Sequence, residues 1–274
     1  MLTIEKYVTS SPAQMEMIIE GMRNPLNSWA QMDSFHTHIE DPETLEIADY
    51  CFHLGEKDEY LMCRLARLGS SHAKYRRMMT VLVTLSAPLY WWKEFDTYKV
   101  GTVANSCSTM HKIAEKPFTM EDFSCEHLGY YDPETELKDG TAIGIEGMEA
   151  YPMDILTDVI ACLNHNREMY LNSKHEYATG ETSYDKRYWW QMIQLLPSSY
   201  NQKRTVLLNY EVLSHIYKDR KNHKLDEWHT FFDWIKTLPY IDIVCPIVGF
   251  SNDTDHEVNI SVKEENTSEQ PEKR

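Results

Sequence analysis

The order of the secondary-structure patterns constrains this chain more than any other feature. Residues 2–8 and 75–86 are rich in Ile, Val and Thr with partial alternation, which is typical of strands. The second half instead carries four long helical patterns, at residues 152–174, 185–197, 204–223 and 225–239. Because strands come early and helices late, with little regular alternation, the sequence predicts an α+β domain rather than a doubly wound sheet.

Two amphipathic helices are expected between the predicted strands. The first covers residues 11–25, with Ser11 as its cap and Pro12 in its first turn. The second covers residues 56–69 and ends at Gly69. Its apolar face is predicted from the spacing of Tyr60, Leu61, Leu65 and Leu68.

Charge and composition exclude several classes of function. The formal net charge of −16 over 274 residues argues against a general nucleic-acid binder, which needs clustered Lys and Arg, but leaves room for a small anionic ligand. No apolar stretch is long enough to span a bilayer, and residues 1–10 lack the pattern of a signal peptide. Six scattered cysteines without a CxxC pair indicate reduced thiols of a cytoplasmic protein, and no cluster has the spacing of a metal site.

The domain boundaries follow from composition. Residues 1–250 form one predicted domain, interrupted at residues 113–150 by a loop-rich insertion with several Pro and Gly. Within the insertion, Thr119 and Asp122 have the spacing of a helix cap. Residues 251–274 are acidic and nearly free of aromatic side chains, which predicts a disordered, solvated tail.

One stretch places the bulkiest side chains directly before the smallest polar ones. Trp91 and Trp92 lead into the run GTVANSCS at residues 101–108. The run offers hydrogen-bond donors suited to an anion, although a polar turn followed by a strand has the same composition. Adjacent helical residues point about 100° apart, so one Trp of this pair, and one of Trp189–Trp190, should face the core and the other a cleft or a partner.

A second candidate feature is a stripe on the helix predicted after Arg204. Asn209, Leu213, Ile216 and Arg220 recur at helical spacing, with an amide at one end and a guanidinium at the other. A planar guanidinium suits a phosphate or a carbonyl oxygen. The alternative is that Arg220 reaches the surface or pairs with a nearby acid.

Taken in order, these pieces resemble the flavin-dependent thymidylate synthases. That family has a GH…EH segment before a strand, a helix that enters an RHRxxSxNExSxR signature, and a late helix reading NxRxxxxxxxxR. Residues 65–112 are similar to the first block and residues 190–235 to the second. The resemblance implies a fold with a small antiparallel sheet flanked by helices and a helix-rich second half.

In the first block, Asn105 and Ser108 fall on the Asn and the second Ser of the signature. His72 falls on the early His, and Ser106 stands where the signature has Glu. The other positions differ from the family: Tyr98, Lys99 and Val100 replace the flavin-contacting RHR triplet, Arg77 replaces the early Glu, and Met110 replaces the final nucleotide-binding Arg. The resemblance implies cofactor contacts by His72, Lys99 and Asn105, and substrate contacts by Ser106 and Ser108.

In the second block, Asn209 falls on a flavin-contacting Asn and His215 on another flavin-contacting position. Arg220 falls on the Arg that orients the uracil ring, which makes it the predicted catalytic residue as well as a substrate contact. Glu211 replaces the Arg between them, and Ile193 stands where the family has a further nucleotide-binding Arg.

The activity that the resemblance implies is reductive methylation of deoxyuridylate at C5. FAD is the implied cofactor, methylenetetrahydrofolate and NADPH are the co-substrates, and the assembly is a homotetramer with shared sites. No Cys acts as nucleophile in that chemistry, which agrees with the lack of a His at a telling spacing from Cys107. The alternative is a catalytically degenerate relative that serves as a nucleotide- or flavin-binding or assembly module, because several signature positions are replaced.

Overall fold

A computed structural model describes residues 1–44, 47–132, 137–139, 143–145 and 148–244. In these residues the helices are α1 (Pro12–Arg23), α2 (Glu56–Arg67), α3 (Leu89–Phe95), α4 (Pro152–Asn172), α5 (Lys186–Leu195), α6 (Tyr210–Arg220), α7 (Asp226–Ile235) and α8 (Ile241–Val244). The strands are β1 (Thr3–Thr9), β2 (Phe35–Glu40), β3 (Ile47–His53), β4 (Thr80–Pro88), β5 (Val103–Ser106), β6 (Tyr130–Asp132), β7 (Leu137–Asp139), β8 (Ile143–Ile145), β9 (Met148–Ala150), β10 (His175–Glu176), β11 (Thr182–Ser183) and β12 (Asn201–Asn209). The predicted tail at 251–274 lies outside the described residues.

A four-stranded antiparallel sheet, in the order β1-β4-β12-β5, forms the centre of the fold. This arrangement, with helices around the sheet, confirms the predicted α+β class. The prediction that residues 204–223 form one helix is wrong at its start, because β12 runs to Asn209 and α6 begins at Tyr210. The burial of the side chains alternates as expected for a strand, because Val206 and Leu208 are buried while Leu207 is exposed.

The strand predicted at residues 75–86 is also shorter at its start. Residues Lys74–Arg77 form a 3₁₀ turn, and β4 begins at Thr80. Tyr75 is buried in this turn and donates a hydrogen bond from its hydroxyl to the carbonyl of Met62 (2.7 Å). That bond anchors the segment to α2 instead of to the sheet.

The main core lies between the inner face of the sheet and the aromatic side chains of α3 and α7. Trp91 packs against Trp228 with ring centroids 4.9 Å apart, and Trp92 donates its indole N–H to the carbonyl of Gln202 (2.8 Å). Trp91 and Trp92 are both fully buried, so the prediction that one of them faces a cleft or a partner is wrong. The second pair behaves as predicted: Trp189 packs on a core cluster and Trp190 is exposed.

A second hydrophobic cluster lies between α4, α5 and the start of the predicted insertion. Ile113, Phe118 and Phe123 are buried in it, so this part of the insertion is a packed element rather than a free loop. Thr119 and Asp122 form the predicted capping box, around a single 3₁₀ turn at Met120–Asp122.

Helices α1 and α2 are joined by a buried ion pair between Arg23 and Asp58. Ser11 caps α1 as predicted, with a full capping box. The predicted face of α2 is partly wrong, because Tyr60 and Leu68 are exposed while Asp58 and Met62 are buried. The buried face of α2 therefore differs from the predicted one. The apolar pattern does not reveal this difference, because the buried face includes a charged residue, Asp58, that pairs with Arg23.

Candidate functional site

Helix α6 is the element that links the predicted site residues, and Asn209 caps its start. The Asn209 Oδ1 accepts a hydrogen bond from the backbone N–H of Val212 (3.0 Å), and its Nδ2 donates to the carbonyl of Gly101 (3.4 Å). Gly101 has a φ of +84°, and a Cβ there would lie 2.9 Å from Asn209 Nδ2. The turn between α3 and β5 therefore needs glycine where it meets α6.

Arg220 lies at the other end of α6 and contacts the same turn. Its Nη1 lies 3.1 Å from Glu94 Oε2, and its Nε–H donates to the hydroxyl of Tyr98 (3.2 Å). Leu213 and Ile216, between Asn209 and Arg220 on the stripe, are fully buried in the main core. Helical spacing left open that Arg220 pairs with a nearby acid. The structure contains such a pair, and the acid is Glu94.

The aromatic surroundings restrict the guanidinium further. Its Cζ lies 5.9 Å from the ring centroid of Tyr98 and 5.6 Å from that of Trp228, within range of cation–π attraction. Burial raises the pKa of the Tyr98 hydroxyl above its ordinary value, and the Arg220 charge opposes that rise only in part. Tyr98 therefore stays a neutral phenol at physiological pH.

His215 faces the loop that follows α2. Its Nε2 lies 3.5 Å from Ser70 Oγ and 3.3 Å from Glu211 Oε1. Because both contacts use the same ring nitrogen, the three side chains do not form a Ser–His–acid relay, which requires both nitrogens. Glu211 is itself paired with Arg76 at 2.6 Å, so its charge is compensated inside the protein.

His72 follows Ser70 by two residues and lines a cavity of about 280 Å³. The walls are mainly apolar, from Met22, Leu65 and Met78, and Lys74 adds a cation. A mostly apolar cavity with a few polar groups is the usual form of a small-molecule site. Its volume is near the lower end of such sites, which are roughly 300–1,000 Å³.

Three further predicted residues, Asn105, Ser106 and Ser108, lie on β5 or directly after it. Asn105 and Ser106 are neighbours in a strand, so they point to opposite faces of the sheet. Asn105 pairs in register with Thr205 and Ser106 with Arg204, and all four β5 residues are exposed. The polar run of residues 101–108 therefore does not line a single pocket within one chain, and the alternative of a turn followed by a strand is correct.

Ser108 and Lys99 have different local settings. The Ser108 hydroxyl accepts a hydrogen bond from the backbone N–H of His111 (2.9 Å), which stabilises the turn after β5. Lys99 is exposed beside Tyr98, in the turn that α6 contacts. Cys107 is an exposed free thiol.

Sequence reasoning did not select Glu94, His223 or Trp228 as parts of the Arg220 surroundings. Glu94 Oε2 also accepts from His223 Nε2 (3.1 Å) and from the indole N–H of Trp228 (3.3 Å). These contacts cross more than 120 positions of the chain, so no local pattern reveals them. The sequence could have indicated Tyr98 as a site residue, because it stands at the first position of the RHR triplet of the family.

Two further observations concern the described residues only. No helix among them is both long enough and apolar enough to cross a membrane. Within the same part of the chain, no group of three or more His, Cys, Asp or Glu side chains is arranged to hold a metal ion.

Comparison with known proteins reveals similarity only at the level of structure. No protein-family model matches the sequence, and no curated protein matches it. The flavin-dependent thymidylate synthase ThyX of Helicobacter pylori, complexed with FAD and dUMP, aligns with 12% identity over 89% of this chain and 96% of that chain, at a TM-score of 0.50. A second structure of that enzyme with FAD and dUMP aligns with the same identity and TM-score over 89% and 95% of the two chains.

A UMP/dUMP methylase, PolB from Streptomyces cacaoi, was solved bound with 5-Br UMP. It aligns with 12% identity over 91% of this chain and 95% of that chain, at a TM-score of 0.46, which is too low to support an inference. The two Helicobacter pylori structures each cover 89% of this chain, and they confirm the resemblance that the two sequence blocks indicate. The chain has the fold of the flavin-dependent thymidylate synthases.

Proposed function

We propose that this protein is a flavin-dependent enzyme of the thymidylate synthase type that methylates deoxyuridylate at C5. The observation that carries the proposal is the set of contacts made by α6 in a chain of this fold. One helix meets the His72 loop through His215 and Ser70, and it meets the Lys99 turn through Asn209 at one end and Arg220 at the other. Residues from two distant blocks are thereby held on one framework.

In this proposal Arg220 orients the pyrimidine ring. Carbonyl oxygens of uracil accept hydrogen bonds, and a planar guanidinium offers several donors in a fixed geometry. Donors held in place before the reaction also stabilise negative charge that develops on those oxygens when C5 reacts. Ser106 and Ser108 are the proposed further contacts to the nucleotide. No cysteine nucleophile is required.

FAD is the proposed cofactor, held by His72, Lys99, Asn105, Asn209 and His215, and it would supply the redox chemistry of the reaction. The mainly apolar cavity beside His72 has a volume of about 280 Å³, which is too small for a whole dinucleotide. Lys99 and Asn105 are both exposed. Exposure is required of them in this proposal, because they would contact the part of the cofactor that lies outside the cavity. Methylenetetrahydrofolate and NADPH are the proposed co-substrates.

A homotetramer is part of the proposal, because one chain does not bring Asn105 and Ser106 to α6. The outer face of the sheet supports it: Val8, Leu82, Leu207 and Val103 form one row across all four strands and are 62%, 43%, 38% and 66% exposed. Asn105 lies on this face, two positions from Val103. An apolar row of this kind suits an interface between copies, which would carry Asn105 towards the α6 helix of a neighbour.

A catalytically degenerate relative is the second candidate, and one observation favours it. Three arginines of the two matched blocks have acid partners within the chain: Arg76 with Glu211, Arg204 with Asp96 and Arg220 with Glu94. A cation that is already paired inside the protein has less to offer a phosphate. Such a protein would bind flavin or nucleotide without turnover.

The purified protein separates the two candidates. An enzyme of the proposed type should be yellow, release flavin on denaturation, and release the C5 proton of deoxyuridylate when methylenetetrahydrofolate and NADPH are added. A yellow protein that binds deoxyuridylate but releases no C5 proton would support the degenerate relative. A colourless protein that neither takes up FAD nor binds deoxyuridylate would refute both.

A further inference from the structure

Glu94 is the side chain on which the surroundings of Arg220 converge. One of its carboxylate oxygens, Oε2, receives N–H groups from three elements: Arg220 Nη1 at the end of α6, His223 Nε2 in the following loop, and Trp228 Nε1 in α7. Hydrogen bonds to an ionised acceptor are stronger than those between neutral groups. Glu94 therefore ties the last turn of α3 to the region where α6 gives way to α7.

The contacts of Arg220 use two of its three guanidinium nitrogens. Nη1 faces Glu94 and Nε faces the Tyr98 hydroxyl, so the two polar contacts hold the planar group from different sides. The ring centroids of Tyr98 and Trp228 lie 5.9 Å and 5.6 Å from its Cζ. Nη2 takes part in neither polar contact, and the side chain is still 24% exposed.

We propose that Glu94 is a positioning residue that sets the orientation of Arg220 towards the pyrimidine ring of the substrate. This inference rests on the proposed function of Arg220. The carboxylate holds Nη1 and the Tyr98 hydroxyl holds Nε, which leaves Nη2 as the nitrogen that can donate to a ligand. Without the negative charge, the long Arg side chain regains rotamer freedom, and ordering it again lowers the affinity for the ligand.

The decisive variant is Glu94→Gln, which keeps the size of the side chain and removes its charge. Deoxyuridylate affinity is measured by titration of the FAD-loaded protein, and deoxyribose 5-phosphate, which lacks the ring, is measured by competition. We expect deoxyuridylate to bind about tenfold more weakly, the loss of one charge-assisted bond, while the affinity for deoxyribose 5-phosphate stays within twofold. Asp233→Asn, an exposed acid of α7 paired with Lys236, is the matched control and should change neither value.

A purely structural role for Glu94 would weaken both ligands equally or lower the melting temperature by several degrees, and either result overturns the inference. Glu94→Asp, which retains the charge on a shorter stem, guards against a folding defect and should keep part of the discrimination between the two ligands. If Glu94→Gln binds deoxyuridylate normally while Arg220→Ala does not, Glu94 is no positioning residue and the proposed function stands. If the wild-type protein binds FAD but no deoxyuridylate, the proposed substrate itself is wrong and the inference falls with it.

Discussion

Arg76 and Glu211 form an ion pair of 2.6 Å in which both side chains are only 6% exposed. The pair joins the turn before β4 to the first residues of α6. Glu211 stands where the resemblance expects an arginine, so this chain carries the opposite charge at that position. The acid is held by a basic partner of its own chain, which indicates a structural role for Glu211.

Breaking this pair should destabilise the fold. Glu211→Ala leaves the Arg76 charge buried without its acid, and we expect the free energy of unfolding to fall by roughly 3–5 kcal/mol in urea titrations. Replacing both residues, as Arg76→Met with Glu211→Leu, should recover most of the loss, since apolar side chains of similar size can fill such a site. Glu115→Ala removes an exposed pair with Lys112 and serves as control, with little expected change. A loss for Glu211→Ala no larger than the control would show that the pair is not buried in solution.

Alkaline pH should weaken the fold through Tyr90. Burial, and then its hydrogen bond to Glu227, raises the pKa of the Tyr90 hydroxyl well above the ordinary value of 10.0. The unfolded chain therefore loses this proton first, so stability is complete below about pH 10 and falls as the pH rises further. Urea midpoints measured at increasing pH should decline more steeply for wild type than for Tyr90→Phe. Parallel curves for the two proteins would show that Tyr90 does not carry the effect.

The exposed row on the sheet should be required for assembly. Wild-type protein should sediment near four times the 32.3 kDa chain mass. Leu207→Glu places a charge in the middle of the row and should shift the protein to smaller species. Leu195→Glu alters a side chain of α5 with the same 38% exposure and should leave the assembly intact. A wild-type protein that is monomeric at micromolar concentration would contradict the shared-site model, because one chain separates Asn105 from α6.

Among the described residues, local patterns in the sequence predict the longer helices, but the strands predicted outright are only β1 and β4. The Ser11 cap, the α4 and α5 helices and the Thr119–Asp122 box follow from local spacing, and local interactions also determine them in the structure. The failure at β12 has a physical cause: its inner face reads Gln202, Arg204, Val206 and Leu208, and polar residues hide the alternation. Both polar side chains have partners there. The Gln202 amide donates to the carbonyl of Cys107 (3.0 Å) and accepts from Arg204 Nε (2.9 Å), and the Arg204 guanidinium lies over the Trp92 ring (4.2 Å).

The candidate site is predicted less completely than the fold. Helical spacing identifies the stripe that ends in Asn209 and Arg220, because a single helix carries both residues. It does not identify Glu94, which lies 126 positions before Arg220 and meets it only after α3 and α6 have packed on the same core. Asn105 and Ser106 point to opposite faces of the sheet because residues 103–106 form a strand. The sequence does not predict this, because the polar composition of residues 101–108 is compatible with a strand and with a turn.

The central claim is that Arg220 binds the pyrimidine of a uridine nucleotide, and titration of the FAD-loaded Arg220→Ala variant with deoxyuridylate, beside a melting curve, tests it most directly. The account predicts that nucleotide binding is lost while flavin content and melting temperature stay near the wild-type values. Arg220→Lys should not restore binding, because an ammonium group cannot replace a planar guanidinium. Unchanged deoxyuridylate affinity in the alanine variant, with flavin bound and stability reduced, would contradict the claim and leave the Arg220–Glu94 pair as a structural contact only.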